Sequence, residues 1–266
     1  MKVGYIQNSP HFGDKKQNFK EIEKVTLGLK ADLIVLPELF ATGYAFASKE
    51  EALSLAEEYN GKTAQFLISI AQSTESIVVG GFIEKEGEKI YNSAIIVSNK
   101  GVIGSYQKIH LYYKEKLWFS PGNKPLEVFN INGVKVGIMI CFDWIFPETA
   151  RTLALLGADI IAHPANLVLP YCQKAMVTRC LENRVFAITS NRIGEEKRGD
   201  DDFKFTGKSQ ITSCNGEILS SAPEDKSHIN IIDIDIQKAR DKKLNDFNDL
   251  FENRRIEFYS TILKSK

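Results

Sequence analysis

Val134-Lys135-Val136-Gly137-Ile138-Met139-Ile140-Cys141-Phe142-Asp143-Trp144, followed closely by Pro147, is the stretch on which the fold turns. Its first seven residues are of β type, and Pro147 then opens an apolar helical pattern. A thiol therefore stands at a strand end, just before a helix-forming turn. An α/β protein places a nucleophile at such a position. The sheet holds the side chain rigidly, and the turn exposes backbone N–H groups that can bind a developing oxyanion. Cysteine is also ordinary core filler, so the reading depends on what stands at the other strand ends.

Two further segments place an unusual polar residue in the same way. In Ala31-Asp32-Leu33-Ile34-Val35-Leu36-Pro37-Glu38-Leu39-Phe40 an apolar run reads as a strand buried on both faces, and Pro37 stops it. Glu38 then falls in dry surroundings, where a carboxylate has a raised pKa and suits general-base work near neutral pH. The alternative is a glutamate that swings out to solvent. In Ile103-Gly104-Ser105-Tyr106-Gln107-Lys108-Ile109-His110-Leu111, Lys108 follows the second strand of a hairpin. A lone lysine there is ordinarily a solvated edge charge, and it gains interest only beside Glu38 and Cys141.

Working outward, strands and helices alternate. Strands are predicted at 2–7, 31–37, 76–84, 91–98, 101–107, 126–130, 134–140, 158–163, 185–191 and 229–236. Helices are predicted at 15–29, 50–58, 62–74, 147–156 and 171–184. Turn signals stand at Ser98–Gly101, Asn132-Gly133 and Asn215-Gly216. The chain also echoes itself. Lys2-Val3-Gly4 returns as Lys135-Val136-Gly137, and Ala31-Asp32-Leu33-Ile34 returns as Ala158-Asp159-Ile160-Ile161, each of the latter followed by a proline three residues on. Each pair brackets a helix, giving two β-α-β units of similar plan. Two sheets face to face with helices outside each, a four-layer α-β-β-α sandwich with pseudo-twofold symmetry, would follow. Residues 1–266 then form a single domain without a linker, with Glu38 from one half and Cys141 from the other.

Composition bounds the function. The formal net charge is zero and the pI about 6.9, which removes the electrostatic argument for nucleic acid or an anionic membrane as partner. No apolar run approaches the about 20 residues of a transmembrane helix. The N-terminus enters a strand at once, without a signal pattern, and the chain reads as cytoplasmic. None of Cys141, Cys172, Cys180 and Cys214 forms a C-x-x-C pair, and the histidines lack metal-ligand spacing, so no metal site is expected. Cys172 and Cys180 in a helix and Cys214 in a turn read as structural. Gly80-Gly81 lies inside a strand and is no phosphate loop. Residues 195–202, dense in charge, read as a solvated loop. The tail at 238–266 is charged yet carries Leu244, Phe247, Leu250, Phe251, Ile256, Phe258 and Tyr259, so it should pack on something.

Taken together, Leu36-Pro37-Glu38-Leu39, Lys108-Ile109-His110-Leu111 and Ile140-Cys141-Phe142-Asp143 resemble, in that order, the three signatures of the nitrilase superfamily of carbon–nitrogen hydrolases. The resemblance runs from about Val3 to about Tyr259. It implies the same sandwich fold, Glu38 as general base, Lys108 as stabiliser of the tetrahedral intermediate and Cys141 as nucleophile. The stretch Lys114-Glu115-Lys116-Leu117-Trp118 resembles the one that supplies a second glutamate, here Glu115. In similar proteins the C-terminal region helps form a dimer. No metal or organic cofactor is implied.

On this reading Lys108 favours the thiolate, and the Phe142 N–H shares the oxyanion. Tyr44 and Trp144 stand near Glu38 and Cys141 in sequence and could line the pocket or simply pack the core. Asn166 ends the strand that echoes the Glu38 strand. His163 reads as a satisfied core residue, and Asp143, Glu148, Arg151, Arg179 and Glu182 as builders of structural ion pairs. Cys-aromatic-Asp at 141–143 is typical of amidase branches, so the expected substrate is a small carboxamide, with a small nitrile as the nearest rival. A different class, a catalytically silent scaffold, is disfavoured by the intact residues.

Overall fold

The computed structural model describes residues 1–264. In chain order the elements are β1 (Lys2–Gln7), α1 (Lys15–Thr26), β2 (Leu33–Val35), α2 (Lys49–Ser54), α3 (Lys62–Thr74), β3 (Ile77–Glu86), β4 (Lys89–Ser98), β5 (Gly101–Gln107) and α4 (Glu115–Trp118). After them come β6 (Val128–Ile131), β7 (Val134–Ile138), α5 (Pro147–Leu155), β8 (Ile160–Pro164), α6 (Cys172–Asn183) and β9 (Phe186–Ser190). The chain continues through β10 (Glu195–Arg198), β11 (Asp201–Lys204), β12 (Gln210–Thr212), β13 (Ile218–Ser221) and β14 (His228–Asp233).

The main strands form two six-stranded sheets, ordered β14-β1-β2-β3-β4-β5 and β13-β12-β9-β8-β7-β6. Read from the β6 edge, the second repeats the first. Each runs antiparallel, parallel, parallel, antiparallel, antiparallel across its five pairings. The sequence echo has a physical basis. The Asp32 carboxylate accepts from Lys2 N at 2.6 Å, and the Asp159 carboxylate accepts from Lys135 N at 2.9 Å. Each aspartate pins the start of a central strand to its neighbour.

Strand alternation sorts side chains between layers. Val3, Tyr5, Leu33, Val35, Ala94 and Ile96 face the second sheet and share one core with Val136, Ile138 and Ile160. Ile6, Ile34, Leu36, Ile95 and Val97 point the other way and are covered by Ile22 of α1 and Leu67, Ile70 and Ala71 of α3. On the far side Leu153 of α5 and Met176 of α6 cover the second sheet. The four-layer sandwich is thus built from two sheets buried on both faces.

Several boundaries differ from expectation. The first helix ends at Thr26 rather than 29, because Gly28 takes φ +76° and turns the chain out. The second stops at Ser54, because Glu57 leaves to hydrogen-bond the edge of β3. Residues 195–202 are not a solvated loop. They form most of the β10–β11 hairpin, with Glu196 and Asp201 buried. Like charges there find partners, since Glu196 meets Arg192 and two peptide N–H groups and Asp201 meets Lys114. Of the residues expected to build ion pairs, Asp143 pairs with His110 and Arg179 with Glu182. Arg151 instead donates to the Glu182 carbonyl, and Glu148 forms no ion pair with any described residue, since its helix end faces solvent. Cys172 and Cys180 lie in α6 and Cys214 in the β12–β13 turn, all three buried and unpaired.

Candidate active site

Three chain reversals converge at the seam of the sheets. Leaving β2, Pro37 and Glu38 enter a turn closed by Thr42 N and Gly43 N donating to the Leu39 carbonyl, with Leu39 at φ +48°. Gly81 makes this turn possible. A Cβ there would lie 2.6 Å from Glu38 Cα and 2.5 Å from Leu39 N, so only glycine lets β3 approach so closely. Leaving β5, Lys108 is fixed by its N–H on the Asn92 carbonyl and its own carbonyl under Gly122 N. Leaving β7, Cys141 opens a 3₁₀ turn, Cys141–Ile145, at φ +40°. That left-handed conformation is strained for a residue with a Cβ, and such strain gathers at functional sites when the surroundings impose it.

The surroundings do impose it. Asp143 accepts from Ile140 N and Tyr106 OH, both at 2.8 Å, and from His110 Nδ1 at 2.8 Å. It ties the cysteine turn to the segment that carries Lys108. On the other side, His163 Nε2 lies 3.0 Å from the Cys141 carbonyl and Nδ1 lies 3.1 Å from Thr189 Oγ1. A carbonyl only accepts, so Nε2 carries the proton and Nδ1 accepts from the threonine. Burial holds His163 down at about 4, against a smaller opposing effect of that carbonyl bond. It is a neutral, doubly bonded core residue.

Glu38, Lys108, Glu115 and Cys141 come together, all buried. Lys108 Nζ donates to Glu38 Oε1 at 2.7 Å and to Glu115 Oε1 at 2.8 Å. Glu115, at the start of α4, also accepts from Tyr112 N at 3.0 Å. Sequence reasoning missed a fifth member, Asn92, whose Nδ2 donates to the same Glu38 Oε1 at 2.7 Å. The signal was present in Tyr91-Asn92-Ser93, polar residues within the otherwise apolar run of β4. Glu38 Oε2 is buried with no partner among the described residues.

The electrostatics follow from one ammonium set between two carboxylates. Burial alone would push Lys108 down, but Glu115 and Glu38 outweigh it and hold the ammonium above its ordinary value. Glu115 is pushed up to about 7 by burial and by Glu38, against the pull of Lys108. The Cys141 thiol is pushed well up, first by burial and then by Glu38, with Lys108 opposing. Lys108 thus favours the thiolate, and burial and Glu38 outweigh it.

Glu115 carries a pH signature. Its folded pKa is raised above the unfolded value of 4.5, so the folded state holds that proton more tightly. The stability it contributes is fully present below about pH 4.5 and is lost as pH rises through about 7, in total on the order of 3 kcal/mol. Glu115→Gln removes that titration. Urea unfolding of both proteins from pH 5 to pH 8 should show the wild type losing stability relative to the variant; parallel curves would contradict the assignment.

The other candidate residues are placed unequally. The Tyr44 phenol is pushed well up by burial and by the charges of Glu115 and Glu38, which sets it beside the site. The Asn166 N–H lies against the Cys141 sulfur, while both polar atoms of its buried side chain lack protein partners among the described residues. The Phe142 peptide follows Cys141 directly, its ring against Tyr112 at 5.1 Å. Trp144 joins the core cluster that includes Cys141, and its carbonyl accepts from Arg179 Nε.

Beside Glu115 lies a cleft of about 10 Å³, lined by residues that include Tyr44, Tyr113, Trp118 and Phe203. That is room for about one water. The β10–β11 hairpin clasps it. Glu196 Oε2 accepts from Tyr44 N at 3.0 Å and Ala45 N at 2.7 Å, and Lys114 pairs with Asp201 at 2.9 Å.

Comparison with known proteins agrees with this architecture. Residues 2–243 match the carbon–nitrogen hydrolase family model. The chain is 48% identical over 263 residues to a nitrilase of Pyrococcus abyssi, covering 97% of this chain and 99% of that protein. It is 34% identical over 245 residues to an (R)-stereoselective amidase of a Pseudomonas species, covering 90% and 87%. A carbon–nitrogen hydrolase of Helicobacter pylori G27 superposes with a TM-score of 0.90 at 25% identity, covering 99% and 98%. The chain belongs to the carbon–nitrogen hydrolase family and is an enzyme of C–N bond hydrolysis. No helix among the described residues is long and apolar enough to cross a membrane.

Proposed function

We propose that this hydrolase cleaves a small carboxamide to its acid and ammonia through a thioester on Cys141. The observation that carries the reading is the asymmetry of Glu38. Lys108 and Asn92 occupy Oε1, and Oε2 has no partner among the described residues in a buried site that also holds the Cys141 thiol. Glu38 Oε2 takes the thiol proton as the sulfur attacks the carbonyl carbon. The C=O π pair moves to oxygen, and the Lys108 ammonium and the Phe142 N–H hold the oxyanion, donors worth a few kcal/mol each. Collapse breaks the C–N bond, with the Glu38 proton passing to the leaving nitrogen. Water, deprotonated by the same carboxylate, then attacks the thioester, and the acid leaves as the thiol is restored. Glu115 holds Lys108 in line. Tyr44, Trp144 and Asn166 shape the acyl side of the pocket.

A nitrile is the second reading, favoured by the 48% identity with the Pyrococcus abyssi nitrilase. The same thiol would add to the nitrile carbon to give a thioimidate, and water would convert that to the thioester with loss of ammonia. Ammonia release from matched small amides and nitriles separates the two. Amide turnover above nitrile is the expected result, nitrile turnover above amide moves the chain to the second reading, and silence on both overturns the proposal.

The tail extends the proposal to assembly. Phe251 packs against the core, but Phe247 is 90% exposed, Phe258 69% and Leu263 89%, and Leu263 lines one cleft with the exposed Leu155 of α5. A second copy covering this apolar surface gives a dimer or larger homo-oligomer. Sedimentation velocity at micromolar concentration should find no monomer as the main species; a monomer would contradict the assignment.

A further inference from the structure

We infer that Asn92 is a positioning residue that selects which oxygen of Glu38 acts as the base. The inference rests on the proposed Glu38–Cys141 chemistry and adds to it a residue outside the glutamate, lysine and cysteine set. Asn92 lies on β4, and strand alternation puts its side chain on the same inner face as Ala94 and Ile96, the face toward the second sheet. It is fully buried. A polar amide at the centre of an apolar strand needs a reason, and its hydrogen bonds supply one. Nδ2 donates to Glu38 Oε1 at 2.7 Å and reaches toward Glu115 Oε1 at 3.5 Å. Those are the two oxygens that Lys108 Nζ also contacts. Asn92 and Lys108 thus form a pair of donors between two carboxylates. One is charged, and the other is a neutral dipole that adds no proton of its own.

The arrangement has a direct consequence. A carboxylate has two equivalent oxygens and can turn about its last bond. Two donors fixed on Oε1 break that equivalence and leave Oε2 for the thiol. The asymmetry of Asn92 itself fits positioning better than packing. Its Oδ1 is buried without a partner among the described residues, so the residue is poorly satisfied as a structural element. Replacing it by an apolar residue removes that unsatisfied oxygen while it deletes the bond to Glu38.

The test compares wild type, Asn92→Leu, Asn92→Ser and Cys141→Ala in ammonia release from an amide or nitrile that the wild type turns over. The groups that bear on Glu38 are Lys108, Glu115, the Cys141 thiol, the Tyr44 phenol and the more distant Arg192, and all of them remain in the Asn92 variants. Asn92→Leu is expected to lower kcat/KM about 10- to 100-fold, in line with the loss of a supporting hydrogen bond. The fall should be mainly in kcat. KM should stay within about twofold of wild type, and the thermal midpoint should not fall with activity. Asn92→Ser retains a hydroxyl donor and should recover part of the lost kcat. If Asn92→Leu does not fold, the serine variant carries the test through a smaller fall in kcat. A kcat/KM within about twofold of wild type in the folded variant overturns the inference. Wild-type silence on every amide and nitrile, or full activity of Cys141→Ala, would instead overturn the reaction on which it rests.

Discussion

Cys141→Ala is expected to lower kcat by about 10⁴-fold or more while the protein still folds. The magnitude follows from the loss of the covalent route. Without sulfur there is no thioester, and what remains is substrate positioning beside Lys108, which gives only residual acceleration over water. The fold should survive because the turn is held from outside the thiol. Asp143 closes it onto Ile140 N, Tyr106 and His110, and His163 holds the Cys141 carbonyl. Alanine keeps the Cβ and therefore the left-handed strain, so the variant loses chemistry without relaxing the backbone. The measurement is ammonia release with circular dichroism on the same samples. Activity within tenfold of wild type would rule out Cys141 as the nucleophile.

Glu38→Gln is expected to lower kcat about 10³- to 10⁴-fold, near the upper end for loss of a general base. Here the same residue takes a proton in acylation and again in deacylation, so both half-reactions suffer. The amide oxygen can still accept from Lys108 and Asn92, which places an NH₂ group where Oε2 stood, and that group cannot accept the thiol proton. Charge argues that the variant folds. The wild-type cluster holds one ammonium and two carboxyl groups, and Glu38→Gln leaves the matched Lys108–Glu115 pair at 2.8 Å. Glu38 also helps push the Cys141 thiol up, so Glu38→Gln should not slow alkylation of Cys141 by iodoacetamide, and the loss should fall on turnover. Turnover within about tenfold of wild type would rule out Glu38 as the base.

The sequence carries the fold where the physics is local. Lys2, Asp32, Lys135 and Asp159 repeat because each aspartate caps the start of a strand pairing, and that repetition reveals the two-sheet plan. The reversals at Pro37-Glu38, Lys108 and Cys141 stand at apolar strand ends, and the alternation of strand and helix brings those ends to one seam. What was not legible depends on contacts remote in the chain. Glu196 is buried because Arg192 and the Tyr44 and Ala45 N–H groups await it, partners up to 152 residues away. Asn92 looks like a stray polar residue until Glu38, 54 positions earlier, is placed beside it. The state of the Cys141 thiol also depends on a balance that sequence does not show, with one lysine shared between two glutamates.

The most direct test of the central claim is peptide mass mapping of enzyme quenched in acid during turnover of a slow amide or nitrile substrate. The expected result is the acyl mass on the peptide containing Cys141, removed by neutral hydroxylamine as a thioester would be, and absent from Cys141→Ala. Continued ammonia release by enzyme whose Cys141 has been fully alkylated, with no acyl mass on that peptide at any quench time, would contradict it.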